Sequence, residues 1–163
     1  MQRNIILMFM KDNEREQKDA QSYVLSLVAK KEYTRHQLRE KVLKRHDTLD
    51  VEALEEILND SESQGFFSDM RFAGIYVRQS IGKGGGPLKI KQKLWEKGVD
   101  KDVASQAIEE EYDTDLQRET ALEVLRRKIS PKASKDKLMR YLMGKGFSSQ
   151  IVYSVADELI KNK

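Results

Sequence analysis

One helical segment recurs three times, and that recurrence narrows the folds open to this chain more than any other feature. Gln37-Leu38-Arg39-Glu40-Lys41-Val42-Leu43 compares with Lys89-Ile90-Lys91-Gln92-Lys93-Leu94-Trp95 and with Lys137-Leu138-Met139-Arg140-Tyr141-Leu142-Met143. Leu38, Ile90 and Leu138 occupy one position; Val42, Leu94 and Leu142 follow one helical turn later. The spacing of about fifty residues suits one three-helix unit. Two copies close alike, with Lys97-Gly98-Val99 and Lys145-Gly146-Phe147. Stacked units of this kind build extended surfaces rather than catalytic pockets, so the expectation is an all-α, elongated, curved array of three tandem three-helix units that works by binding.

The periodicities fill in the units. Ala20, Tyr23, Val24, Leu27 and Val28 form a helical stripe. Thr34 followed by Gln37 reads as a capping box. Asp50 is a credible N-cap for a helix burying Val51, Leu54, Ile57 and Leu58, which Gly65 ends. A second unit starts at Ser68. Its glycine run from Gly82 to Gly86 cannot stay helical, since each glycine costs about 1 kcal/mol against alanine. That run reads as a flexible hinge, and Pro87 restarts a helix at its first position. Gly98 supplies a left-handed cap, and Asp100 opens a helix with Val103, Ala104, Ala107 and Ile108 inside. The third unit begins with a capping box from Thr114 to Gln117 and a stripe of Ala121, Leu122, Leu125 and Ile129. Pro131 then separates a helix capped by Ser134, and Ser148 opens the last one. No segment alternates with period two, so no strands are expected. The resulting divisions are a poorly ordered tail over 1–18 and three-helix repeats over 19–66, 67–112 and 113–163.

Charge is organised in step with the repeat. Apolar residues make up 39% and charged residues 35%, which suits helices with narrow buried stripes and wide wet faces. From His46 to Met70 there is acid and no lysine or arginine; from Met70 to Trp95 Arg71, Arg78, Lys83, Lys89, Lys91 and Lys93 meet no acid. In the third unit Arg126, Arg127, Lys132, Lys135, Lys137 and Arg140 form a comparable set. Such blocks are either solvated faces or partner contacts. The unneutralised field of the two sets makes them the candidate partner-binding residues. Arg71 carries a structural alternative, pairing with Asp69 or a preceding acidic helix.

Other features point away from chemistry. The sole tryptophan, Trp95, follows buried Leu94 and reads as core or semi-buried; Tyr76 and Tyr141 lie on apolar stripes and read as core. The glycine run lacks the rest of a phosphate-binding loop. His36 and His46 lack a carboxylate cluster at ligand spacing and read as surface histidines, so neither metal nor cofactor is expected. No nucleophile elbow, carboxylate pair or dinucleotide fingerprint occurs, so the chain reads as non-enzymatic. Zero cysteines suit a reducing cytosol, and the longest apolar run, Ile5 to Met10, is far below a membrane span.

Gly65-Phe66-Phe67-Ser68-Asp69-Met70-Arg71-Phe72-Ala73, with Tyr76 after it, resembles the signature of the RecX family. Gly84-Gly85-Gly86-Pro87, Ile90, Leu94 and Lys97-Gly98-Val99 resemble its glycine-rich turn and the segment that follows, and Tyr23, Leu38, Lys41 and Val42 are similar to its first unit. Ser68 departs from the acidic pair often found there, but is an equally good N-cap. The resemblance spans roughly residues 19 to 160. It implies a cytoplasmic bacterial regulator that binds RecA and lies in the groove of the RecA–DNA filament. A monomer is the default expectation. The expected effects are suppressed ATPase, strand-exchange and coprotease activity and promoted filament disassembly. The rival reading is a direct DNA-binding protein of helix-turn-helix type. It is opposed by the acidic third helices, whose Glu52, Glu55, Glu56 and Glu109 to Glu111 would face phosphates. Weak, sequence-independent DNA contact through the other helices is compatible with their charge.

Overall fold

The computed structural model describes residues 2–128, 130 and 133–161. Among these residues the chain is all-α, with nine helices in three tandem groups of three and no strand. The first group is α1 (Gln2–Val28), α2 (Arg35–Arg45) and α3 (Val51–Ser63); the second is α4 (Asp69–Gly82), α5 (Pro87–Glu96) and α6 (Lys101–Glu111). The third is α7 (Thr114–Lys128), α8 (Lys135–Lys145) and α9 (Ser149–Lys161). The chain divides into two compact units, Met1–Phe72 and Ala73–Lys163, with the boundary inside α4.

Six repeat positions form the centre of the design. Leu38, Ile90 and Leu138 are buried, and so are Val42, Leu94 and Leu142. Each middle helix therefore turns the same two aliphatic side chains inward, one turn apart. In the first unit they join Ala20, Val24 and Leu27 of α1 and Leu54, Ile57 and Leu58 of α3 in one core cluster. In the second unit Val77, Ala104, Ile108, Tyr112, Leu125 and Val152 are among the buried residues. Burying a leucine or valine side chain stabilises by about 1.5–3 kcal/mol, so these positions hold the helices in register.

The caps follow local chemistry. The Thr34 hydroxyl accepts from the Gln37 amide at 3.1 Å, and the Gln37 side chain accepts from the Thr34 amide at 3.3 Å, completing the capping box. Asp69 adds a cap from elsewhere in the chain, its Oδ1 accepting from the Arg35 amide at 2.8 Å. Gly65, Gly98 and Gly146 all turn left-handed at helix ends, with φ of 74°, 81° and 90°. At α7 the expected Thr114 cap is replaced by Asp113, whose carboxylate accepts from the Leu116 amide at 2.8 Å. Thr114 is already helical, and Gln117 reaches back to the Tyr112 carbonyl at 2.8 Å. Aspartate wins because its carboxylate is the better acceptor for orphan amides beside a helix dipole.

Several expectations change. Residues from Gln2 to Lys18 lie within α1 rather than in a poorly ordered tail. Glu16 accepts from the Thr48 hydroxyl at 2.6 Å, and Glu14, Gln17 and Lys18 line a hollow of about 210 Å³ against Ala53 and Ile57. Val51 is 49% exposed at the first position of α3, while Leu49 just before it is buried. Tyr76 and Tyr141 are half-buried rather than core. His46 is half-buried too, its ring 6.0 Å from that of Tyr23 and its Nε2 shielded from solvent. Ile129, Pro131 and Lys132 lie outside the described residues.

Candidate polyanion-binding cleft

The basic residues of the middle group separate into those already partnered and those left open. The Arg71 Nε donates to Glu32 at 2.7 Å, and its two terminal nitrogens reach the carbonyls of Gly65 and Phe66 at 3.2 Å each. All three belong to the first unit, so the structural reading of Arg71 describes its contacts, with Glu32 in place of Asp69. Arg78 pairs with Glu111. Among the described residues Lys83, Lys89 and Lys91 have no ion-pair partner.

Lys83 and Lys89 converge with Lys93 and Lys145 around a cleft of about 240 Å³, with Tyr76 and Ser80 on its wall. The sequence order explains the convergence. Lys89 and Lys93 stand four residues apart, on one face of α5. Lys83 sits in the glycine run that leads into that helix. Lys145 ends α8, and the α8–α9 turn is tied to the start of α5: the Gly86 amide donates to the Lys145 carbonyl at 2.8 Å, and the Leu88 amide to the Gly146 carbonyl at 3.0 Å. Such an approach requires glycine. A Cβ on Gly86 would stand 2.3 Å from the Gly146 carbonyl carbon, and one on Gly146 would stand 2.5 Å from the Lys89 Cβ. The glycine run is therefore not the expected hinge. It is pinned to a backbone partner on one side, and on the other the Tyr112 phenol donates to the Gly85 carbonyl at 3.1 Å.

The lining of the cleft carries four lysines and no carboxylate. Next to it, Glu96 accepts from Lys93 at 2.5 Å and from Gln92 at 3.2 Å. That hydrogen bond raises the Lys93 pKa above its ordinary value and lowers that of Glu96 below its own. Among the described residues Lys83, Lys89 and Lys145 have no ion-pair partner, and the Lys145 amine lies 5.7 Å from the centroid of the Tyr141 ring. A lining with four lysines is a candidate site for an anionic group, phosphate or carboxylate. Among the described residues no group of three or more His, Cys, Asp or Glu could hold a metal ion.

The remaining predicted residues lie elsewhere. Lys91 points away from the cleft, because two residues from either neighbour on a helix is about half a turn. In the third group Arg127 pairs with Glu123 and Lys135 with Asp157, while the Arg140 Nε lies 3.4 Å from the Asp136 carbonyl. Arg126 and Lys137 are exposed and unpaired among the described residues, and Lys132 lies outside them. Lys145, absent from the predicted set, was signalled by the Lys-Gly stop that α8 shares with α5. Trp95 was misplaced: it is 60% exposed, with the Lys101 amine 5.0 Å from its ring centroid.

Comparison with known proteins gives a consistent result. The family described as "RecX, second three-helix domain" matches residues 68–108. Regulatory protein RecX of Lactococcus lactis subsp. cremoris (strain SK11) is 32% identical over 127 residues, covering 73% of this chain and 47% of that protein. The chain thus spans about half the length of that relative. Regulatory protein RecX of Neisseria meningitidis serogroup C is 28% identical over 140 residues, covering 83% of this chain and 88% of the other. The crystal structure of RecX from Lactobacillus salivarius superposes with a TM-score of 0.80 at 25% identity, covering 90% of this chain and 97% of that one.

Proposed function

We propose that this chain, which belongs to the RecX family of regulatory proteins, regulates the RecA recombinase by binding the RecA–DNA filament. It binds in the filament groove, suppresses ATPase, strand-exchange and coprotease activity, and promotes filament disassembly. It does so without bond-making chemistry of its own and as a monomer in the cytoplasm. The repeats over 19–66, 67–112 and 113–163 serve as successive docking modules. The observation that carries this reading is the cleft of Lys83, Lys89, Lys93 and Lys145, a concentrated positive site suited to a polyanionic assembly. Among the described residues no helix is long and apolar enough to cross a membrane.

The helix-turn-helix alternative fares worse. Glu52 and Glu56 of α3 and Glu109 and Glu110 of α6 are exposed, and recognition helices carrying them would be repelled by phosphate.

The test assembles RecA on single-stranded DNA with ATP and adds substoichiometric protein. ATP turnover and mean filament length should both fall. Lys83→Glu with Lys89→Glu should lose the effect at unchanged helical circular dichroism, whereas Lys91→Glu should retain most of it. Unchanged turnover and length with the unmodified protein would sink the proposal.

A further inference from the structure

The first unit carries a groove that is the repeat counterpart of the cleft. It is lined by Lys31, Tyr33, Gln37, Glu40, Lys41, Leu43 and Lys44 and encloses about 630 Å³. Lys31, Tyr33, Gln37 and Lys41 lie 52 positions before Lys83, Gly85, Lys89 and Lys93, each of which lines the cleft. The backbone supports this register. The N-caps Thr34 and Gly86, also 52 apart, have nearly the same dihedrals: φ −79°, ψ 157° and φ −82°, ψ 158°. Each concavity thus lies between the strand-like entry to a middle helix and that helix's own i, i+4 face.

Its chemistry matches as well. The Lys31 and Lys41 amines lie 4.7 and 5.6 Å from the centroid of Tyr33, which is 7% exposed and so serves as a floor rather than a ligand. Among the described residues Lys31, Lys41 and Lys44 have no ion-pair partner. The one carboxylate on the wall, Glu40, lies 3.5 Å from the His36 Nε2. Arg35 and Arg39 of the same helix are occupied by Glu55 and Glu62, and the cations that line both concavities are lysines.

We infer that this groove is a second polyanion site and that it, like the cleft, takes the phosphodiester backbone of single-stranded nucleic acid. The inference rests on reading the cleft as an anion site. An acidic protein surface is the weaker fit. Protein interfaces centre on apolar anchors and are depleted in lysine, whereas nucleic-acid interfaces are polar and basic. Among the described residues none of the exposed large apolar side chains, such as Leu25, Val51, Leu88 and Trp95, lines either concavity; the aliphatic lining residues are half-buried Leu43 and buried Ile90.

The full chain should bind fluorescein-labelled oligothymidylate in an anisotropy titration, with affinity falling steeply with salt. Lys31→Glu, Lys41→Glu and Lys44→Glu together should weaken binding at least roughly tenfold and flatten the log–log salt slope by about 2, the share of three phosphate contacts on a single strand. Lys83→Glu with Lys89→Glu should weaken it separately. If the first-unit variant binds with unchanged affinity and slope while the cleft variant does not, the second site is refuted and the cleft stands. If both bind unchanged, both readings fall. Polyglutamate competing as well as unlabelled oligothymidylate would refute the ligand class. The same three positions changed to Gln, which keeps side-chain bulk, carry the same expectation should charge reversal unfold the first unit.

Discussion

The phenol of Tyr112, at the end of α6, donates to the carbonyl of Gly85 across 3.1 Å and so ties the second group's last helix to the loop that begins its middle one. Tyr112 is 1% exposed, and burial pushes its pKa up to about 12. A raised pKa means that the folded state holds the proton more tightly. The associated stability is intact below the ordinary value of 10 and is lost as pH rises towards 12. Two pH units correspond to about 2–3 kcal/mol. Tyr112→Phe should cost about 1 kcal/mol at neutral pH through the lost hydrogen bond. It should also remove much of the alkaline loss, as read from denaturant unfolding at several pH values. An alkaline limb identical to that of the unmodified protein would mean another group sets it.

The pinned glycine run makes a steric prediction. At Gly86 the dihedrals suit any residue, but a Cβ would meet backbone atoms of Gly146 and Phe147 at 2.3–2.5 Å. Gly86→Ala should therefore destabilise by about 2 kcal/mol, the typical cost of overpacking. Gly82 has nothing within 4 Å of its virtual Cβ and no left-handed φ. Gly82→Ala should stabilise by about 0.5 kcal/mol through the unfolded state. Equal effects of the two in thermal unfolding would contradict the pinned loop.

How far the sequence could be read depended on the range of the interaction. The inward pairs Leu38–Val42, Ile90–Leu94 and Leu138–Leu142, the Thr34 capping box, the helix end at Gly65 and the left-handed Gly98 are all set by neighbours within a turn or two, and they were legible. The loop's attachment to Lys145 depends on two backbones meeting where two glycines remove their Cβ atoms, and no local pattern encodes that meeting. Trp95 could have been placed: about 100° round the helix from Leu94 and further from Ile90, it falls outside the buried stripe. The Lys31–Lys83 correspondence is also present in the sequence, at the same offset of 52 positions that relates Leu38 to Ile90, but it lies in the segments leading into the middle helices, where no apolar periodicity marks it.

The ion-pair network of the first unit predicts acid sensitivity. Glu55 accepts from Arg35 at 2.7 Å and from Arg39 at 2.9 Å, and these bonds, Arg35 first, hold its pKa below the ordinary 4.5. A depressed carboxylate pKa contributes stability above that ordinary value and loses it as pH falls through the folded-state value. Burial raises the Asp69 pKa, so that group acts in the opposite sense. Glu55→Gln should cost only about 0.5 kcal/mol at neutral pH, because the pairs are well exposed to solvent. It should also make the acid-side fall in unfolding free energy shallower. A steeper fall would assign the acid response to other carboxylates.

Leu94 and Trp95 are adjacent in sequence and opposite in environment, fully buried against 60% exposed. Leu94→Ala should destabilise by about 3 kcal/mol, since a cavity adds to the lost burial. Trp95→Ala, despite removing the larger side chain, should change stability by less than about 0.5 kcal/mol, as expected of a surface position. Because Trp95 is the sole tryptophan, the unmodified protein offers an independent check. Acrylamide should quench its native emission nearly as well as it quenches that of the unfolded chain. Strong protection from acrylamide, or a Trp95→Ala penalty approaching that of Leu94→Ala, would return the indole to the core.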